Sequence, residues 1–182
     1  MNIISAQDVS PLQSALISAG RASGISEADD LYGWLIGSWE LDVRNYWGNL
    51  SPHKLKAEAH FAWVLEGRAV QDVWIIPRPG ERAGLPDPNL FSYGTTLRVW
   101  DPRIRAWRVT WINPVTGTHI QLIGRRQGSN IVQIGTNSEG TPIRWSFTEM
   151  TPDSFRWTGE TLQSDGETWL LQGDFVAIRT RA

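Results

Sequence analysis

Three histidines, His53, His60 and His119, are the residues most suited to hold a metal ion or move a proton, and their spacing argues against the metal. They fall on different strands or loops with no short ligand spacing, and no carboxylate cluster accompanies them. The chain has no cysteine, which removes disulfides, thiolate nucleophiles and sulfur-ligated zinc. It carries no Gly-x-Ser-x-Gly, phosphate-binding loop or dinucleotide fingerprint, so hydrolase, kinase and dehydrogenase chemistry find no support. We therefore expect neither metal nor cofactor.

Asp72 is the most informative polar residue. If Glu66-Gly67 forms a two-residue turn, Trp63 pairs with Val70 and Phe61 with Asp72. Asp72 then shares a face with Phe61, Trp63 and Trp74, and a carboxylate on an aromatic face needs a partner. Arg98 or Arg108 can supply it as a structural salt bridge; the alternative is a ligand-binding or acid/base role. His119 and Gln121 alternate with Ile120 and Leu122, so the pair either faces solvent or anchors a ligand carbonyl without bringing a full charge into a pocket. Asn113 is either a mouth residue or the start of an Asn-Pro turn. Trp63, Trp74, Trp111, Trp145 and Trp157 are candidates for an aromatic wall or for plain core.

The elements that would position these residues are mostly strands. From Ser38 onward the hydrophobic period is two, and we read strands over 38–47, 54–65, 69–76, 92–100, 105–112, 118–126, 130–136, 142–148, 154–162 and 168–178. Turn residues such as Asp101-Pro102-Arg103, Gln127-Gly128-Ser129 and Ser164-Asp165-Gly166 join neighbours as hairpins. Odd positions face inward late in the chain, where Ile143, Trp145, Phe147, Phe155 and Trp157 alternate with polar residues. The Pro- and Gly-rich stretch 77–90 must be a surface loop, placed to border a barrel mouth. With no helix after residue 36 to cover a sheet face, closure of about ten antiparallel strands into a barrel is the simplest way to bury it.

Residues 1–36 form an expected helical extension ahead of a barrel spanning 37–182. Ser10 caps a helix Pro11–Ala19 with Gln13 completing a capping box, and a second helix Glu27–Ile36 leads into the first strand. The first helix is too short to be stable alone and must dock, either over the barrel mouth as a lid or on the outer wall.

Bulk properties fit a single soluble domain: 182 residues, 41% hydrophobic, 20% charged, with net charge -2. That charge offers no footprint for nucleic acid. The N-terminus lacks the basic start and apolar run of a signal peptide and no stretch is apolar enough to span a membrane, so a cytoplasmic location is expected. In that setting the acceptor-like Asn49-Leu50-Ser51 is a chance match. Eleven tryptophans are the outlier, suited to a thick core or a lined cavity.

Gly37-x-Trp39 at the head of the first strand, a short helix before it and the run of hairpins together resemble the lipocalin-like (calycin) barrels. The resemblance implies that Trp39 closes the barrel base. The segments WVLEGRAVQDVW, YGTTLRVWDPRIRAWRVTWINP and PDSFRWTGE look like an uncharacterised bacterial branch of lipocalin-like domains, and the likeness runs from residue 31 to the end. The haem-binding nitrobindin-like barrels place a histidine near the C-terminus, where this chain has none. Lipocalin-like barrels also include cofactor-free cyclases that form spiro-linked tetramate and tetronate polyketides by an intramolecular Diels–Alder-type cycloaddition beneath an N-terminal helical lid. That likeness is one of architecture. It leaves two functional readings, each for a mostly apolar small molecule with a polar carbonyl head. One is a cyclase of natural-product biosynthesis, favoured by the extension that could gate the mouth; the other is a non-catalytic carrier of a lipid or secondary metabolite.

Overall fold

The computed structural model describes residues 10–46, 55–81 and 92–180, which cover ten strands and a short N-terminal helical segment. In order these are α1 (Pro11–Leu16), a 3-10 turn (Gly33–Leu35), β1 (Gly37–Tyr46), β2 (Leu55–Val64), β3 (Ala69–Ile76), a second 3-10 turn (Pro79–Glu81), β4 (Ser92–Asp101), β5 (Ala106–Asn113), β6 (Thr118–Gln127), β7 (Asn130–Thr136), β8 (Pro142–Thr148), β9 (Ser154–Leu162) and β10 (Trp169–Arg179). Every strand pairs antiparallel with its chain neighbours, and β1 pairs with β10, so the sheet closes into the expected barrel. No helix among the described residues is long and apolar enough to cross a membrane.

The hairpin logic holds in detail. Phe61 pairs with Asp72 and Trp63 with Val70, as the Glu66-Gly67 turn requires. Leu65, Glu66 and Gly67 all take positive φ there, at 54, 57 and 74 degrees. Late in the chain Ile143, Trp145, Phe147, Phe155 and Trp157 are buried while Arg144, Thr148, Arg156 and Thr158 are more exposed, the period-two pattern of a wall with one dry face; Ser146 is the exception and is buried as well.

The antiparallel order gives the barrel two distinct ends. Turns β2–β3, β4–β5, β6–β7 and β8–β9 gather at the end where β1 begins and β10 stops. That end is plugged. Tyr32, Leu35 and Trp39 have no solvent exposure and belong to one core with the strands. The Trp39 indole N–H donates to the Leu35 carbonyl at 2.7 Å, and the Trp107 indole N–H donates to the Asp29 carbonyl at 2.7 Å. Arg179, from the last strand, lays its guanidinium 4.1 Å over the Trp39 ring and donates to the carbonyls of Ile36 and Trp34 at 2.7 and 2.6 Å. First strand, last strand and incoming chain are thus tied at one point.

The N-terminal segment departs from its sequence reading. Ser10 caps α1 with the full capping box, but the helix stops at Leu16, short of Ala19. Ile17 instead bridges to Val64, the Ser18 N–H donates to the Trp63 carbonyl at 2.8 Å, and the Leu65 N–H donates to the Leu16 carbonyl at 2.9 Å. These bonds to the β2–β3 turn replace the last helical turn and hold α1 at the plugged end. It does not lie over the mouth. The second helix is reduced to the turn Gly33–Leu35, because Asp30 Oδ1 accepts from the backbone N–H groups of Tyr32 and Gly33 at 3.2 and 2.7 Å and caps a short turn there. That geometry lets Tyr32 and Leu35 enter the barrel.

The plug is tightly fitted. A Cβ added at Gly124 would sit 2.2 Å from the Tyr32 hydroxyl, whereas the next ring atom lies at 3.4 Å. Gly124→Ala is therefore expected to cost about 1–3 kcal/mol of stability through overpacking. In a Tyr32→Phe background most of that cost should disappear. Denaturant unfolding of both single variants and the double variant reads this coupling, and strict additivity would show that Tyr32 is not wedged there.

Candidate functional site

Above the plug the barrel is not filled. A cavity of about 410 Å³ occupies its upper half, between the central strands and the β5–β6 and β7–β8 turns. Its apolar wall is Trp74, Ile76, Trp111, Ile120, Trp145, Trp157 and Phe175; Ser92, Thr96, Arg98, Asn113, Thr116, Thr118, Asn137 and Ser138 supply polar atoms. The rings form a continuous surface, with centroids 6.3 Å apart for Trp111 and Trp145, 5.5 Å for Trp145 and Trp157, and 5.1 Å for Trp157 and Phe175. Two glycines shape it. A Cβ at Gly94 would lie 2.4 Å from the Trp111 ring and one at Gly159 2.8 Å from the Trp157 ring, so both indoles lie against strands where no side chain intervenes.

At the cavity floor sits a buried ion pair. Asp72 is 1% and Arg98 2% exposed, and Arg98 Nη1 donates to Asp72 Oδ2 at 2.5 Å. The other carboxylate oxygen, Oδ1, accepts from the Thr96 backbone N–H at 2.7 Å, which the Asp72–Thr96 register makes possible. The guanidinium carbon is 5.1 Å from the centroid of Tyr32, 5.7 Å from Phe61 and 5.9 Å from Phe147. Of the two arginines expected as partners, Arg98 is the one that pairs. Arg108 points outward and donates to Asp101 at 2.8 Å, because the β3–β4 and β4–β5 registers place Asp72, Thr96 and Arg98 on the inner face and Arg108 on the outer. There Arg103 and then Arg108 hold the Asp101 carboxyl well below the usual carboxylate range.

The other candidates divide cleanly. Trp74, Trp111, Trp145 and Trp157 line the cavity; Trp63 is buried in the core away from it. His119 and Gln121 are exposed, since the inner face of β6 carries Thr118, Ile120 and Leu122, and neither can serve as an anchor inside the barrel. His60 is exposed beside Ser38 Oγ at 2.8 Å, and His53 lies outside the described residues. Both readings of Asn113 hold together: it is buried at the mouth with Nδ2 donating to Ser92 Oγ at 3.1 Å, while Oδ1 accepts from the Val115 N–H at 3.1 Å in the turn. Ser92, Thr96, Thr118 and Phe175 were not singled out as wall residues. The signal that finds the first two is strand parity carried from Asp72 through its pairing with Thr96. Among the described residues no group of three His, Cys, Asp or Glu side chains could hold a metal ion.

No protein-family model matches the chain, and no curated protein does. The function must be argued from the cavity itself.

Two outcomes follow from the floor of the site. Asp72→Ala strands a buried guanidinium and should lower stability by about 3–5 kcal/mol in denaturant unfolding; a change under about 0.5 kcal/mol, typical of surface sites, would contradict the burial. Burial also pushes the Tyr32 hydroxyl up from its ordinary value of 10.0, opposed by Arg98 and assisted by Asp72. The unfolded chain therefore releases this proton first, and stability should fall as pH rises past about 10. Tyr32→Phe should flatten that alkaline limb, measured as unfolding free energy against pH.

Proposed function

We propose that the barrel binds a mostly apolar small molecule with an oxygen-bearing, carbonyl-type head, acting as a binding or carrier protein for a lipid or secondary metabolite. The observation that carries this reading is the aromatic cavity with a buried donor at its floor. Its volume falls within the range of about 300–1,000 Å³ common for ligand pockets, and its few convergent polar groups amid apolar wall are what orient a ligand in such sites. Flat, rigid indoles give large contact area at low entropic cost.

A cofactor-free cyclase is the second reading, and Arg98 is what favours it. A cationic donor held in an aromatic wall would polarise a carbonyl, while the wall confines a flexible substrate in a reactive conformer. The gate that made the cyclase the preferred reading has lost its support, since α1 is bonded to the β2–β3 turn at the far end. The carrier reading needs no gate.

Titration with apolar ketones and esters should quench tryptophan fluorescence saturably and raise the melting temperature, with a stabilisation of about 2.7 kcal/mol at a hundredfold excess over Kd. Ile120→Trp, which fills the cavity from β6, should abolish the quenching in a folded protein. Absence of saturable quenching across a varied apolar library would overturn the binding reading, and turnover of a polyene substrate analogue would favour the cyclase.

A further inference from the structure

The polar cluster beneath the cavity, of which Arg98 borders the cavity, has a surplus of donors and no net charge. Both oxygens of Asp72 are occupied, one by Thr96 N–H and one by Arg98 Nη1. Arg98 Nε is buried with no hydrogen-bond partner among the described residues, and so is Gln133 Nε2. The two belong to one cluster: the Tyr32 hydroxyl donates to Gln133 Oε1 at 3.3 Å, and the Arg98 guanidinium lies against the Tyr32 ring. Both carboxylate oxygens of Asp72 and Gln133 Oε1 are engaged, so neither unpaired donor is matched by the carboxylate or amide oxygens beside it.

Charge narrows the answer. Arg98 is the one ionised side chain among the described residues of the cavity wall, and Asp72 behind it cancels its charge at 2.5 Å. The remaining wall is aromatic, aliphatic, hydroxyl or amide. A carboxylate entering this space would add an uncompensated charge to an interior whose positive charge is already spent on Asp72, and an ammonium would place a second, unpaired cation beside Arg98. A ketone, ester or amide oxygen accepts a hydrogen bond from the guanidinium and leaves the charge balance unchanged; hydrogen bonds with one ionised partner are the stronger kind.

Resting on the reading that the cavity is a ligand site, we infer that it selects neutral ligands bearing an oxygen acceptor and discriminates against the corresponding acids, with Arg98 as the anchor and Asp72 as the positioning residue that sets the charge preference by neutralising it. This assigns Asp72 a role in specificity as well as in folding. The pair does not act as an acid or a base: Asp72 holds the guanidinium in place and removes its appeal to anions.

The test uses three probes of nearly equal shape on the full chain: acetylnaphthalene, isopropylnaphthalene and naphthoate, all substituted at the same ring position. Equilibrium dialysis at neutral pH should show acetylnaphthalene binding about tenfold or more tighter than either of the others. Asp72→Asn leaves Arg98 uncompensated and should raise the affinity for naphthoate relative to acetylnaphthalene by about a hundredfold, more than the wild-type margin, reversing the order. Naphthoate binding as tightly as acetylnaphthalene to the wild-type protein overturns the charge preference, and equal binding of the two neutral probes overturns the anchor. Either result leaves the cavity as a ligand site, whereas failure of all three probes to bind overturns the site and this inference with it. Should Asp72→Asn fail to fold, the double variant Asp72→Asn, Arg98→Met keeps the interior neutral; in it the advantage of acetylnaphthalene over isopropylnaphthalene should fall to about one, and persistence of that advantage would rule Arg98 out as the anchor.

Discussion

Closure of ten strands into one antiparallel barrel creates more interior than the strands themselves fill. About eight strands enclose a space that inward side chains can just occupy, and each added strand widens it. This chain meets the constraint in two ways along one axis. At the base, Tyr32 and Leu35 from the incoming segment join Trp39, Trp107 and Phe155 and complete the packing. Toward the mouth no described residue fills the interior, and the volume remains as a cavity walled by Trp74, Trp111, Trp145 and Trp157. The plug is thus a condition of the fold and the cavity a consequence of where the plug ends.

The Asp72–Arg98 pair lies where those two regimes meet. A buried ion pair is weak evidence for stability, because desolvating both groups offsets most of their attraction. Its position is more telling than its energy. The guanidinium packs on Tyr32 from the plug and on Phe61 and Phe147 from the wall, and it also borders the cavity. Any ligand that bonds to Arg98 would therefore contact the side chain that packs against the element sealing the base. Binding and closure share one side chain, which gives a physical route by which an occupied cavity would stabilise the whole barrel.

The barrel was legible in the sequence wherever period two and turn chemistry agreed. Phe61 and Asp72 could be paired because Glu66-Gly67 pins the register, and the inward run Ile143, Trp145, Phe147 is alternating without interruption. Two choices needed tertiary pairing. Arg98 and Arg108 are alike in local sequence, and only the register of β3 with β4 and of β4 with β5 separates their faces. His119 and Gln121 sit on a strand whose other face is also modestly polar at Thr118, so alternation alone could not orient it; the pairing of Trp111 with Ile120 does. The N-terminal segment was the least legible part. Its capping box is real, but bonds from Leu16, Ile17 and Ser18 to the β2–β3 turn outcompete further helix, and side-chain caps at Asp30 outcompete the second. Local propensity cannot see such partners.

The cavity's size bears on why it should be read as a site at all. The volume of about 410 Å³ opens at the mouth, so without a ligand it is open to water. Water can occupy part of it, since Ser92, Thr96, Asn113 and Thr118 offer polar contacts, but the wall around them is largely indole and gives water few partners. Gly94 and Gly159 leave room for the Trp111 and Trp157 indoles to lie back against the strands, so that the volume stays open, apolar at its sides and with the Arg98 guanidinium at its floor. An apolar ligand with an acceptor oxygen would satisfy the side walls and the floor at once, where water satisfies only the second.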